Sequence, residues 1–520
     1  MITRKTLAAS SFITLALAAG GCTSFGQAGP DYARPEVQEP DGWTEISNRV
    51  SQINANLDWW RAFDDPVLDS LVADALAQNY DLAALRANLR KARALRRKAV
   101  GQLHPSVNAS ASAQLLSRSE NGLIPTSDVI GIEADTDLYD AGFDAVWEIV
   151  FGGTHRAIEA ADARLEASAA NLEAAQLSLA AEIARTYIEL IAFERQHAAR
   201  SVIIDVQERS KRLVESRLAV GSATSSDVDR ASARLLRAQA SLPALEAEIQ
   251  AAIYRLAVLT GVRPDQLSGK INLANLKSAL PGAKTINIGS PSDMLRTRPD
   301  VQQAERLLAA ETADIGVAEA DLLPRLTLAA TAGVESIDFS DLFNAASLAG
   351  SVGPRLSLPL FGRSKLKAQI DAERAEAEAA LAVYQQTILR ALEEAESAIA
   401  RYDRAHEVVN RLGSAHMHAA QEVAVSMLRY ETGEDGYSVV LDSESNLAEI
   451  NIELAEAEKL LRIHAVSLMK AVGGMMRVEP VKTVKTKAFT KLKPAEVVAG
   501  IGRDLADDKP PSRAIQVIQQ

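Results

Sequence analysis

The chain has one cysteine, Cys22, in 520 residues. A lone thiol excludes a disulfide framework within one chain. Aromatic residues are scarce, at 4%. That is thin for thick globular cores and ordinary where alanine-rich helices pack closely. An excess of basic charge is also missing, because the formal net charge is −12, which argues against a nucleic-acid-binding surface. No phosphate-cradling glycine loop, zinc-spaced Cys/His set or nucleophilic triad is present, so nothing points to an enzyme or a cofactor. The nearest metal pattern, His416-x-His418, places its two side chains on different faces of a helix. Long apolar runs are absent too: Leu7 to Ala19 is too short to span a bilayer.

What the sequence has instead is two very long stretches almost free of helix breakers. From His155 to Val220 there is neither proline nor glycine, and much of the stretch is Ala, Leu, Glu, Arg and Gln. Strong helix formers without a breaker predict one helix of roughly 100 Å. The stretch from Ser364 to Thr432 matches it, with Gly413 as its one internal glycine. Each is introduced by Phe-Gly (Phe151-Gly152, Phe361-Gly362) and ends at a glycine suited to a C-terminal cap, Gly221 or Gly433. A single rod of this length leaves an apolar stripe uncovered, so it must lie against similar rods.

The N-terminus reads as a targeting segment. Arg4 and Lys5 precede the apolar run, and Ala19-Gly20-Gly21 then lead to Cys22. Small residues directly before a cysteine resemble a bacterial lipoprotein signal, which predicts removal of residues 1–21 and a covalent lipid on Cys22. Thr23, in place of Asp, follows the pattern of outer membrane rather than inner membrane lipoproteins.

Residues 22–65 are rich in Pro and Gly and read as a strap. Asp65-Pro66 looks like a helix start, and a period of 3.6 carries the helix to Leu103. The period then falls to two. Val107, Ala109, Ala111, Ala113 and Leu115 alternate with polar residues, as do Ala141, Phe143, Ala145, Trp147 and Ile149. Two strands of about ten residues are predicted at about 106–116 and 141–150, with one apolar and one polar face. Such strands suit either an outer membrane barrel around a watery lumen or a half-buried soluble hairpin. After the first rod, Ser226 or Asp227 is expected to cap a return helix running to Leu259 and broken near Pro243.

The pattern then repeats. A linker at 261–290 precedes a helix from Pro291 to Leu323, strands at about 325–335 and 347–359, the second rod and a return helix from about Tyr437 to Ala471. Phe151 and Phe361 are 210 residues apart, Gly221 and Gly433 are 212 apart, and Pro105 and Pro324 are 219 apart. The chain is therefore a duplicated half: residues 66–260 form one repeat, 291–474 the other, and 475–520 a Lys-rich flexible tail. Each pair of shorter helices stacked end to end matches one rod, with a joint at mid-length belted by strap and linker. If these strands cross the membrane, four per chain are too few to close a barrel, so other copies must complete it, with three or two copies in all.

Gly29-Pro30-Asp31-Tyr32, Trp59-Trp60, Arg298-Pro299-Asp300-Val301, Leu323-Pro324-Arg325, Leu358-Pro359-Leu360-Phe361-Gly362 and Val440-Leu441-Asp442 occur in this order between Cys22 and Gly474. With the duplication, they make the chain resemble the TolC family of outer membrane efflux proteins, most closely its lipidated OprM-like or NodT-type branch. The resemblance implies an α+β membrane protein. It would be a homotrimer whose twelve-stranded β-barrel in outer membrane lipid continues into a long periplasmic helical barrel. It implies a passive exit duct for drugs or other small molecules, docked to a periplasmic adaptor and an inner membrane RND-type or ABC pump. The alternatives are a type I secretion duct and a lipid-anchored coiled-coil adaptor that does not span the membrane. The turns Gly221–Asp227 and Gly433–Asp442 would form the periplasmic tip, where an adaptor approaches at Gly221 and Gly433. Asp435 stands where the OprM-like branch has an inward-facing carboxylate and TolC itself an arginine. Ser226, Asp227 and Tyr430 match positions that tie neighbouring tip helices.

Overall fold

A computed structural model describes residues 28–36, 40, 42–44, 50–51, 59–117, 135–267 and 286–473. Cys22, residues 1–21, the tail 475–520 and most of the strap and linker lie outside the described residues.

The two rods are α3 (Gly153–Ala219, 67 residues) and α9 (Arg363–Glu431, 69 residues). Gly152 and Gly362, both at positive φ, turn the chain into them. Shorter helices fill the grooves beside them: α1 (Pro66–Gln78), α2 (Tyr80–Gly101), α4 (Ser225–Gln239), α5 (Leu242–Leu259), α8 (Pro299–Ala320) and α10 (Tyr437–Ala471), and a single turn, α6 (Pro264–Leu267), follows α5. At one end, α3 lies between α2 and α8, with α9 beyond α8. At the other end, α3 lies between α4–α5 and α10, with α9 beyond α10. Both rods run the full length, and the shorter helices cover them piece by piece.

The short helices meet end to end at two equivalent joints. Asn79 Nδ2 donates to the Leu259 carbonyl at 3.0 Å, and Arg298 Nη1 donates to the Ala471 carbonyl at 2.8 Å. In each case a side chain at the start of one helix satisfies a carbonyl left open at the end of another. Asn79 to Arg298 is 219 residues and Leu259 to Ala471 is 212, the spacings of the sequence repeat. Arg298 is buried and also pairs with Asp300 at 2.6 Å and Glu394 at 2.7 Å. Burial opposes its charge, but the two carboxylates outweigh that and hold its pKa above the ordinary value.

These joints correct two expectations. Pro66–Leu103 is not one helix, because Asn79 adopts an extended ψ of 130° and its side chain accepts from Leu82 N at 3.0 Å, capping a new helix. Pro291–Leu323 likewise divides into α7 (Pro291–Thr297) and α8, because Pro299 drives Arg298 to an extended ψ of 122°. The return helix breaks at Ala240–Ser241, with Pro243 in the first turn of α5.

The strap packs at the same level. Trp43, Trp59, Trp60 and Phe63 are buried in the main core, and Trp43 Nε1 donates to the Gly289 carbonyl at 2.9 Å. Two short strands, β1 (Val50–Ser51) and β4 (Ile286–Asn287), pair in parallel and join strap to linker. Asp65, 2% exposed, caps α1 by accepting from Val67 N and Leu68 N, and it also accepts from Tyr187 Oη of α3 at 2.8 Å. Nearer the sheet, the Arg156 guanidinium, 1% exposed, donates to the Ala28 carbonyl at 2.8 Å and to Asp31 at 2.6 Å. There Gly29 crosses Gly316 so closely that a Cβ on Gly29 would lie 2.5 Å from Gly316 Cα.

The sheet is antiparallel, in the order β2 (Ser106–Ser117), β3 (Asp135–Val150), β5 (Arg325–Ser336), β6 (Leu348–Ser357). β3 begins six residues before the expected 141, because the Asp-Thr-Asp-Leu stretch pairs with the end of β2. The register aligns Val107, Ala145, Ala330 and Val352 in one row, and Asn108, Asp144, Thr331 and Ser351 in the next. One face is thus apolar and the other polar, with Asn108 donating to Asp144 at 3.1 Å on the polar side. Phe143 and Val352, on the apolar face, are 63% and 76% exposed. Among the described residues no helix is long and apolar enough to cross a membrane.

Asp65→Ala should destabilise the fold by about 1–3 kcal/mol, since it removes a helix cap and strands the Tyr187 hydroxyl. Tyr187→Phe should cost less. Thermal unfolding of the two variants in detergent, followed by far-UV circular dichroism, checks this ranking.

Candidate functional site at the helix-to-helix turns

The two turns at the far end of the rods start alike and finish differently. At the first, Gly221 has φ +77°. Its N–H bonds to the Leu218 carbonyl at 2.9 Å, and Ser222 N bonds to the Arg217 carbonyl at 2.8 Å. This left-handed cap closes the open end of α3. The chain then enters α4 through a capping box: Thr224 Oγ1 accepts from Asp227 N at 3.3 Å, and Asp227 Oδ2 accepts from Thr224 N at 2.9 Å. The cap is therefore Thr224, not Ser226 or Asp227 as the sequence suggested, since its side chain reaches the third residue of the helix. Ser226 is exposed in the first turn. Backbone and side-chain hydrogen bonds from Thr224 hold the Asp227 carboxyl below its ordinary pKa.

At the second turn, Gly433 has φ +79°, and its N–H bonds to the Tyr430 carbonyl at 3.0 Å. Glu434 N and Asp435 N both bond to the Arg429 carbonyl, at 2.8 and 3.2 Å. α10 then starts after Gly436, which supplies no side-chain cap. Asp435 faces Arg429 with a closest N–O distance of 3.5 Å. Tyr430 meets Tyr437 with ring centroids 5.0 Å apart. A Cβ on either Gly221 or Gly433 would meet nothing within 4 Å, so both turns present open backbone.

A cross-tie between the hairpins escaped the sequence reading. Arg209 of α3 donates to Tyr437 Oη at 3.1 Å and pairs with Glu444 of α10 at 2.5 Å. Burial works against its charge, but the hydrogen bonds to Glu444 and Tyr437 prevail and raise its pKa. Beside Glu444, Ser443 shares a buried 2.8 Å hydrogen bond with Ser426, joining α9 and α10. The tips thus hold Tyr430, Tyr437 and Asp435 in one hairpin, and Thr224 and Asp227 in the other. Within one chain no hydrogen bond or ion pair among the described residues links Asp227 to Tyr430 or Asp435. Thr224-x-x-Asp227 was readable as a capping box. The Arg209–Glu444 pair joins residues too far apart in sequence to announce itself.

Elsewhere Glu311, Asp314 and Glu373 bring carboxylate oxygens within 4.8 Å of one another, but Arg164 pairs with both Glu311 and Asp314 and offsets their charge. His416 and His418 belong to no such group among the described residues.

Paired helical hairpins joined to a sheet with one apolar and one polar face are the parts of a membrane duct. The family model of outer membrane efflux proteins matches residues 71–262 and 290–474, the two repeats. The pyoverdine export outer membrane protein OpmQ of Pseudomonas aeruginosa is 31% identical over 471 residues, covering 89% of this chain and 96% of that one. The toluene efflux pump outer membrane protein TtgF of Pseudomonas putida is 28% identical over 475 residues, covering 89% and 96%. The solved outer-membrane channel OprN is 34% identical, with a TM-score of 0.77 over 86% of this chain and 98% of that one. The chain belongs to the outer membrane efflux protein family. It is an outer membrane channel, a passive duct rather than a pump, and the adaptor alternative is set aside.

For Asp227 the folded pKa is depressed, so its contribution is complete above the unfolded carboxylate value of about 3.9 and is lost as pH falls through the lower folded value. Asp227→Ala at neutral pH should therefore speed amide exchange in the first turn of α4 and leave the second turn unchanged. Hydrogen–deuterium exchange of tip peptides reads this directly.

Proposed function

We propose that three copies of this chain close one barrel and form the exit duct of a tripartite efflux system, and that Asp435 forms its constriction. The observation that carries the reading is the four-stranded sheet with one apolar face, continuous with the rods, in a chain of this family. An open sheet edge is not tolerated in lipid, and a single-chain bacterial barrel needs at least about eight strands. Threefold symmetry would gather three Asp435 carboxylates around one axis, where they repel one another and attract cations. Arg429 and the Arg209–Tyr437–Glu444 tie would hold the second hairpin inward. The open backbone at Gly221 and Gly433 suits the approach of a periplasmic adaptor, which would couple the duct to an RND-type or ABC pump of the inner membrane. Cys22 would carry the lipid that holds the N-terminus at the outer membrane. The relatives' names span pyoverdine export and toluene efflux. That breadth supports small molecules as cargo, chosen by the pump rather than by the duct.

Asp435→Ala should raise the single-channel conductance of the purified protein in planar lipid several-fold, and Arg209→Met should raise it less. Unchanged conductance in Asp435→Ala removes that carboxylate from the constriction. Cys22→Ser should abolish labelling with radioactive palmitate, and persistent labelling would place the lipid elsewhere.

A further inference from the structure

The free edges of the helical layer and of the sheet run in series. α2 leads directly into β2, one edge of the sheet, and β6, the other edge, leads directly into α9. Within the chain α2 packs chiefly on α3, and the sheet-side half of α9 packs chiefly on α8. Each therefore turns one face away from its own chain. On α2 that face holds Ala83, Ala87 and Ala94, all exposed, with exposed Arg90 and Lys91 on either flank. On α9 it holds Ala372, Ala375 and Ala379, also exposed, flanked by exposed Glu376 and Glu378. Arg96 of α2 is paired with Asp162 of its own chain at 2.6 Å. By contrast Arg90, Lys91, Glu376 and Glu378 have no ion-pair partner among the described residues.

We propose that these two faces are the halves of one contact between copies of the chain, in which Arg90 and Lys91 of one copy meet Glu376 and Glu378 of the next. This rests on the trimer reading above and adds where the helical parts meet and what chemistry selects the neighbour. Three observations converge. The levels agree: counted from the sheet, the basic pair lies about three turns along α2 and the acidic pair about four turns along α9. The surfaces agree: small residues on both sides allow close approach, and flanking charges of opposite sign fix partner and register as in coiled coils. The topology agrees: β2 meeting β6 of the neighbour would carry α2 and α9 of the same two copies together. The contact is head-to-tail, and such a contact closes a ring when the rotation per copy allows it. Because all four charges are exposed, their main effect is on partner choice and assembly rate, and salt weakens it.

The test is charge reversal with rescue, read as the trimer fraction of protein extracted from outer membranes in mild detergent at low salt. R90E/K91E and E376K/E378K should each reduce that fraction roughly tenfold, with partial recovery at high salt. The four changes together should restore it. Normal assembly of both reversed variants at low salt would overturn the proposal. Should all the reversed variants misfold, an A87C/A375C variant treated in membranes with a short bismaleimide decides the matter. It should give a ladder of linked dimers and trimers. A trimer by mass with no ladder refutes this contact and leaves the trimer standing, whereas a monomer refutes the trimer itself.

Discussion

The architecture depends on one constraint: a helix of roughly 100 Å cannot be flanked along its whole length by short helices unless those helices meet end to end. Wherever two helix ends abut, backbone groups are left without partners, and burying them costs free energy. Asn79 and Arg298 resolve this by the same device, each reaching from the start of one helix to a terminal carbonyl of another. Arg298 adds two carboxylates around its buried guanidinium. Around these joints the tryptophans of the strap and the β1–β4 pair gather, so the widest core in an otherwise thin protein lies at mid-length.

From the joints outward, burial is modest and packing relies on small residues. Ala160, Ala163, Ala167 and Ala170 are buried along the sheet-side half of α3, and Gly29 and Gly316 let the strap cross the helices in near backbone contact. The low aromatic content is the compositional side of this geometry. A wall one helix thick has little room for large rings except where the strap and linker double it.

Much of this could be read from the residues themselves. Breaker-free stretches gave both rods to within a few residues, alternation located all four strands, and the similar offsets revealed the duplication. What stayed hidden was long-range or local in ways periodicity does not encode. The break at Asn79 has no proline or glycine to mark it, because a side chain capping in two directions makes it. The break at Arg298 was marked by Pro299, yet the flanking apolar pattern carries across it. At the tips, Gly221, Gly433 and Asp435 were legible as turn residues. The tie from Arg209 to Tyr437 and Glu444 required knowing that α3 and α10 lie side by side.

The duplication is not exact at the turns. One opens its return helix with a reciprocal box between Thr224 and Asp227; the other opens after Gly436 with no side-chain cap. Arranged around an axis, such a chain gives a circle in which two kinds of fingertip alternate, one closed on itself by its own cap and one braced from the neighbouring hairpin through Arg209.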